Sequence, residues 1–143
     1  MKLLAHFLAE SANFGQDGTF NIFKGGITIV TTSQPLSPTS AALLKFVVVT
    51  VIEMTEEEAT SQLHEIQLSI TLPDGSFHTG LRQPIAVKVS DPLLGRVYAN
   101  VMSNMNVVVT TPGDVRVSGS LDGEALPLLY IQARSPSIQM PNR

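Results

Sequence analysis

"HEIQLSITLPDGSFHTG", residues 64–80, decides the fold class. Ile66, Leu68, Ile70 and Leu72 fall on one side of an extended chain, and Gln67, Ser69 and Thr71 on the other. Side chains alternate across a strand with a period of two, so this segment has one apolar and one wet face, as a strand of an antiparallel sheet does. It runs into Asp74-Gly75. Asp-Gly is the strongest short-range hairpin signal, because a type I′ turn needs positive φ at both central residues. The same pair stands at Asp17-Gly18 and at Asp122-Gly123.

The two-residue rhythm extends in both directions. Leu3, Ala5, Phe7 and Ala9 alternate with Leu4, His6, Leu8 and Glu10, which makes the start a first strand. His6 and Glu10 interrupt the apolar run that a signal peptide would need. "TFNIFKGGITIVTT", 19–32, reads as one strand with a bulge or sharp bend at Gly25-Gly26. Residues 33–41 are a Pro- and Ser-rich loop. Leu43–Met54 is apolar on both faces, as a central strand covered on two sides would be. Glu56, Glu57 and Glu58 form a solvated connection or one helical turn.

Pro84 cannot donate to a ladder, so the strand over 76–90 lies at an edge or is broken in two. Val97, Ala99, Val101, Met105, Val107 and Val109 share one register after the turn "DPLLG". Beyond Pro112-Gly113, Val115, Val117 and Leu121 alternate with Arg116, Ser118 and Ser120, and "EALPLLYIQAR" closes the pattern. Eight or nine short strands separated by turn signals predict an all-β fold, a two-sheet antiparallel β-sandwich, immunoglobulin-like or C2-like. The domain spans 1–134, and 135–143 is a C-terminal tail.

Composition narrows the function. The chain has 143 residues, no cysteine and a net charge of −3. Thiolate zinc, disulfides and cysteine nucleophiles are excluded. Lys and Arg are scattered and no basic stripe exists, which argues against nucleic acid as a partner. The longest apolar run is far too short for a membrane span. Charged residues are 15% of the chain, against about 25% in an average domain. A surface so poor in charge suits a subunit covered by its neighbours or an ordinary Ser- and Thr-rich β-protein.

The Asp-Gly pairs admit two readings, hairpin corners or calcium ligands. In an antiparallel meander, turns alternate between the two ends of the domain. Strands 19–30, 43–54 and 64–72 then put Asp17 and Asp74 at opposite ends, and a single strand over 76–90 brings Asp122 back beside Asp17. A metal could therefore be held only by Asp17 and Asp122 with Glu124, and the preferred reading is corners with no metal and no cofactor.

The histidines, His6, His64 and His78, show no ligand spacing. No Gly-x-Ser-x-Gly elbow or phosphate loop is present. The expectation is no enzyme. Phe7, Phe20 and Phe46 are expected in the core, and the absence of tryptophan counts against a sugar platform. In the tail, Ile138 and Met140 can dock on a groove of the same chain or on a neighbouring subunit.

"LAHFLAESANFGQDGTFNIFKGG" and "TPGDVRVSGSLDGEAL" resemble the opening and the C-terminal hairpin of a family of small bacterial proteins, a domain of unknown function. Members commonly carry an aromatic residue two positions after the Pro-Gly, where this chain has Val115. The resemblance covers residues 3–134 and implies a β-sandwich with no activity attached. The functional expectation is a non-catalytic structural or interaction subunit. It would self-associate as a homo-oligomer or join a larger assembly through sheet faces, edges and tail. Its place would be the cytoplasm or a virion-like particle. The alternative is a small ligand- or calcium-binding module using one loop end.

Overall fold

The computed structural model describes residues 1–14, 19–85 and 88–137. Their strands are β1 (Lys2–Phe14), β2 (Phe20–Gly25), β3 (Ile29–Thr31), β4 (Ala42–Thr55), β5 (Glu65–Thr71), β6 (Phe77–Pro84), β7 (Lys88–Asp91), β8 (Arg96–Val109), β9 (Gly113–Leu121), β10 (Glu124–Ala125) and β11 (Leu129–Arg134). One helix, α1 (Glu56–Ser61), follows β4. It starts at a capping box, where Thr55 accepts from the Glu58 amide and the Glu58 carboxylate accepts from the Thr55 amide. No helix is long and apolar enough to cross a membrane.

The strands form two packed sheets, in the orders β2-β1-β4-β8-β7 and β3-β11-β9-β5-β6, with β10 paired to β9. The expected all-β sandwich is therefore the fold. Its core is built by alternation. Leu44, Phe46, Val48, Ile52 and Met54 of β4 and Val97, Val101, Met105, Val107 and Val109 of β8 face Ile66, Leu68 and Ile70 of β5, Val115 and Val117 of β9, and Ile131 of β11. Each such side chain gains about 1.5–3 kcal/mol by leaving water, and the other half of each strand's residues stays outside.

The central position of β4 explains its doubly apolar sequence. Val47 and Val49 point away from the other sheet yet are buried, with Ala9, beneath Phe7, Ile22, Val51 and Met102. Phe46 is core as expected, Phe7 serves this second, outer cluster, and the Phe20 side chain lies outside the described residues.

Two segments are each divided between the sheets: 19–30, which reads as one strand, and 76–90, where Pro84 already allowed a break. The segment 19–30 leaves its sheet at Gly25-Gly26. Gly26 takes φ 77° and, with Ile27, donates to Leu8 O. Thereafter β3 joins the opposite sheet, parallel to β11. The segment 76–90 is divided likewise, β6 in one sheet and β7 in the other. Among the described residues eleven strands stand where eight or nine were expected, and the simple meander does not hold. A period of two records which face a residue takes, not which sheet it belongs to.

The corners differ too. Asp122 and Gly123 both have positive φ, 49° and 86°, between the paired residues Leu121 and Glu124, which is the expected type I′ turn. At Asp74-Gly75 only the glycine is positive, at 87°. The Gly75 amide donates to Leu72 O and the Leu72 amide to Ser76 O, both at 2.9 Å, so the corner is a type I turn with a glycine bulge. Pro73 is the reason: it has no N–H to close a two-residue hairpin with Ser76, and its φ near about −65° suits the first central position of a type I turn. Asp17-Gly18 lies outside the described residues.

Leu68 sits at the centre of the core, fully buried, between glycines on both neighbouring strands. A Cβ on Gly80 would collide with Leu68 O, and one on Gly119 would come within 2.7 Å of Leu68 Cδ2. Leu68→Ala should lower unfolding free energy by about 3 kcal/mol. Urea denaturation will show this as a lower midpoint at an unchanged slope.

Candidate interaction surface

A sheet edge presents a row of backbone N–H and C=O groups with no protein partner, and proteins blunt such edges with charge, proline, bulges or brevity. Most edges of this sandwich are blunted. β3 has 3 residues. β7 has 4. β6 carries a register shift opposite Gln67 and Ser69, an Arg82–Glu65 ion pair at 3.5 Å, and a terminal proline. β2 carries Lys24, whose ammonium lies 3.4 Å from Glu10 Oε2 and over the ring of Phe23.

β4 has an opening as well. β1 pairs with it only as far as Ala9 opposite Val47 and then continues with β2 alone. The gap left beside Ala42–Phe46 is a groove of about 410 Å³ lined by Glu10, Lys24 and Lys45 among apolar residues, so charge guards it.

β8 is different. All 14 residues of β4 pair with it in one unbroken register, from Ala42 opposite Val109 to Thr55 opposite Arg96. On its other side, β7 covers only Arg96–Ala99. Among the described residues nothing pairs with the remaining edge from Met102 to Val109. This stretch is regular, free of proline, and uncharged: no charged residue stands between Arg96 and Asp114. Ser103, Met105, Val107 and Val109 face the core; Met102, Asn104, Asn106 and Val108 face outward, the last 54% exposed.

Beside this edge the two sheets stand apart. A groove of about 530 Å³ runs between β8 and β6, lined by Ile70, His78, Gly80, Met105 and Val107. Farther in, the Ser103 hydroxyl donates to Gln83 Oε1 at 3.0 Å and joins the sheets.

The chemistry-bearing groups lie elsewhere. His64, 3% exposed, has Asp122 Oδ2 at 2.5 Å from Nδ1 and Glu58 O at 2.6 Å from Nε2. A carbonyl and a carboxylate can only accept, so both ring nitrogens donate, and His64 is the imidazolium partner of Asp122. The second carboxylate oxygen, Oδ1, accepts from the Glu65 amide at 2.8 Å. Burial pushes the Asp122 carboxyl up, but the His64 hydrogen bond, the Glu65 amide and the His64 charge outweigh it and hold the group below its ordinary value. The pair ties α1, the start of β5 and the β9–β10 corner together.

Of the three proposed metal ligands, Asp17 lies outside the described residues, Asp122 has both oxygens engaged within the chain, and Glu124 is exposed on β10. Asp74 and Asp122 sit at opposite ends of β5, as the alternation of turns requires. Asp74 accepts from the hydroxyl and amide of Ser76, which hold its carboxyl low. No group of three or more His, Asp or Glu residues able to hold a metal ion occurs among the described residues.

His6 reaches Thr50 Oγ1 at 3.0 Å on the core side of β1 and β4, and its burial lowers its pKa. Ile138 and Met140 lie outside the described residues. Ser135 just before them accepts from the Leu36 amide at 3.0 Å.

Sequence reading named neither the β8 edge nor the His64–Asp122 pair. The absence of charge from 97 to 113 was the available signal for the edge. Searches against protein-family models and curated proteins find no match to the chain.

Asp122→Asn removes the anion facing a buried imidazolium and should destabilise the protein by about 1–3 kcal/mol at neutral pH. A depressed carboxyl stabilises fully above its unfolded value and loses this as pH falls through its folded value. The gap between wild type and variant in urea titrations should therefore narrow as pH falls below about 4. A gap unchanged in strong acid would contradict the ion pair.

Proposed function

We propose that the protein is a non-catalytic structural subunit that self-associates, building a homo-oligomer or a larger assembly through its strand edges. The observation that carries this reading is the unguarded edge Met102–Val109. Backbone groups along it lack a partner in the described chain, and the sequence carries none of the charges, prolines or bulges that keep edges apart. A strand that long and that regular is a template for another strand.

The rest of the surface supports the same reading. Outside the core, Leu43, Phe23, Leu128 and Tyr130 are each more than two-fifths exposed, in a chain with few charges to hold neighbours off. The polar constellations that a catalyst would use serve the fold: His64 and Asp122 satisfy each other, and Asp74 closes a turn. The tail with Ile138 and Met140 is the second element assigned to contact a neighbour. Such a subunit belongs in the cytoplasm or in a virion-like particle, where many copies meet.

Light scattering with native mass spectrometry tests the reading. The expected result at micromolar concentration is a species whose mass is a multiple of 15.4 kDa. A lone monomer persisting at high micromolar concentration would overturn it.

A further inference from the structure

We infer that β8 pairs with β8 of a second copy, antiparallel across a two-fold axis at Met105, so that sheet β2-β1-β4-β8-β7 runs on into its copy. This rests on the self-association reading and gives it a partner and a register.

Three observations lead here. The free edge is extended backbone, so its complement must be another extended strand with free groups of its own. The edge is uncharged, so its own copy meets no like-charge penalty. A copy has the same open edge, in the same regular geometry, whereas β2, β3, β6 and β7 are short, charged or irregular.

The side chains then fix the register. An antiparallel two-fold about Met105 sets Met102 opposite the copy's Val108 and Asn104 opposite the copy's Asn106. On the outward face, apolar meets apolar and amide meets amide. On the inward face, Ser103 meets Val107 and Met105 meets itself. Moving the axis by one residue, to Asn104, opposes Met102 with Asn106 and loses this match. The groove between β8 and β6 lies where the inward side chains of the added strand arrive.

Asn104 and Asn106 are exposed, so substitution there leaves the core intact. In Asn104→Lys/Asn106→Lys each lysine faces a lysine of the copy. The dimer should weaken by at least about a hundredfold, as should the matching glutamate double variant. Mixing the two should restore association, with unchanged far-ultraviolet circular dichroism throughout.

The chain has no cysteine of its own, which makes the register readable. Asn104→Cys/Asn106→Cys should give a disulfide-linked dimer on mild oxidation. Asn104→Cys alone should not, since diagonal neighbours stand about 7–8 Å apart, beyond disulfide reach. If the wild type is oligomeric and the lysine variant keeps its mass, the edge pairing is wrong and self-association stands. If the charged variants dissociate and the mixture does not reassociate, or only the single cysteine cross-links, the register is wrong. A monomeric wild type removes both.

Discussion

The unbroken ladder between β4 and β8 is the constraint on which the rest depends. Its 14 consecutive pairs admit no slip, because moving one strand by a single residue would turn either Phe46 and Val48 or Met105 and Val107 out of the core. With that register set, β1 follows β4 as far as Ala9 opposite Val47. It departs after Ala9, takes β2 with it, and leaves β4 open beside Ala42–Phe46. Among the described residues β7, joined by a four-residue loop from Pro92 to Gly95, pairs with β8 from Arg96 to Ala99. The two long strands thus outlast their other neighbours at the same end of the sheet.

How the two openings are handled separates structure from function. Beside β4, Glu10, Lys24 and Lys45 line the gap. An incoming strand would have to desolvate all three, and unpaired charges are costly to bury. Beside β8 no comparable cost exists. The nearest charges on the strand, Arg96 with its partner Glu53, stand at the far end where β7 already covers the edge. Among the described residues the chain guards one half-edge and pairs nothing with the other. Foldability alone does not require that difference, since a single outward lysine at Asn104 or Asn106 would satisfy solubility and disturb no core contact.

Much of the sandwich was legible in the sequence because burial writes itself at period two. Ile66, Leu68, Ile70 and Leu72 are buried as their alternation implies, and so are Val97, Ala99, Val101, Met105, Val107 and Val109. The doubly apolar run from Leu43 gave a central strand, and β4 is one. What could not be read was the point where a strand changes sheet. Gly25-Gly26 announced a bend, but a bulge within one sheet and a passage to the other use the same residues. Pro73 before Asp74-Gly75 did carry the turn type, since a two-residue turn over Asp74-Gly75 needs an N–H from residue 73, which proline lacks. The interaction surface was harder still. An open edge is a property of neighbours that are absent, and no residue on β8 encodes how far β7 extends. The His64–Asp122 pair was hidden for a related reason: its members are far apart in sequence and meet only because β5 and β9 pair with Ile66 opposite Leu121.

That pair also bears on where the molecule's unused bonding capacity lies. Asp122 has the positive φ of a turn residue and a carboxylate beside a buried cation, and on sequence alone either could suit a ligand site. In the fold its oxygens go to His64 and to the Glu65 amide, while His64 uses its other nitrogen on Glu58 O and so holds α1 against the end of the sandwich. Asp74 is likewise engaged by Ser76. With these side chains bound inward, the outstanding capacity for directed bonds along Met102–Val109 is the main chain itself, with the exposed amides of Asn104 and Asn106 beside it. Main-chain groups in an extended row discriminate by geometry, accepting another strand and little else. On the self-association reading proposed above, a partner would meet the chemistry of a sheet continued.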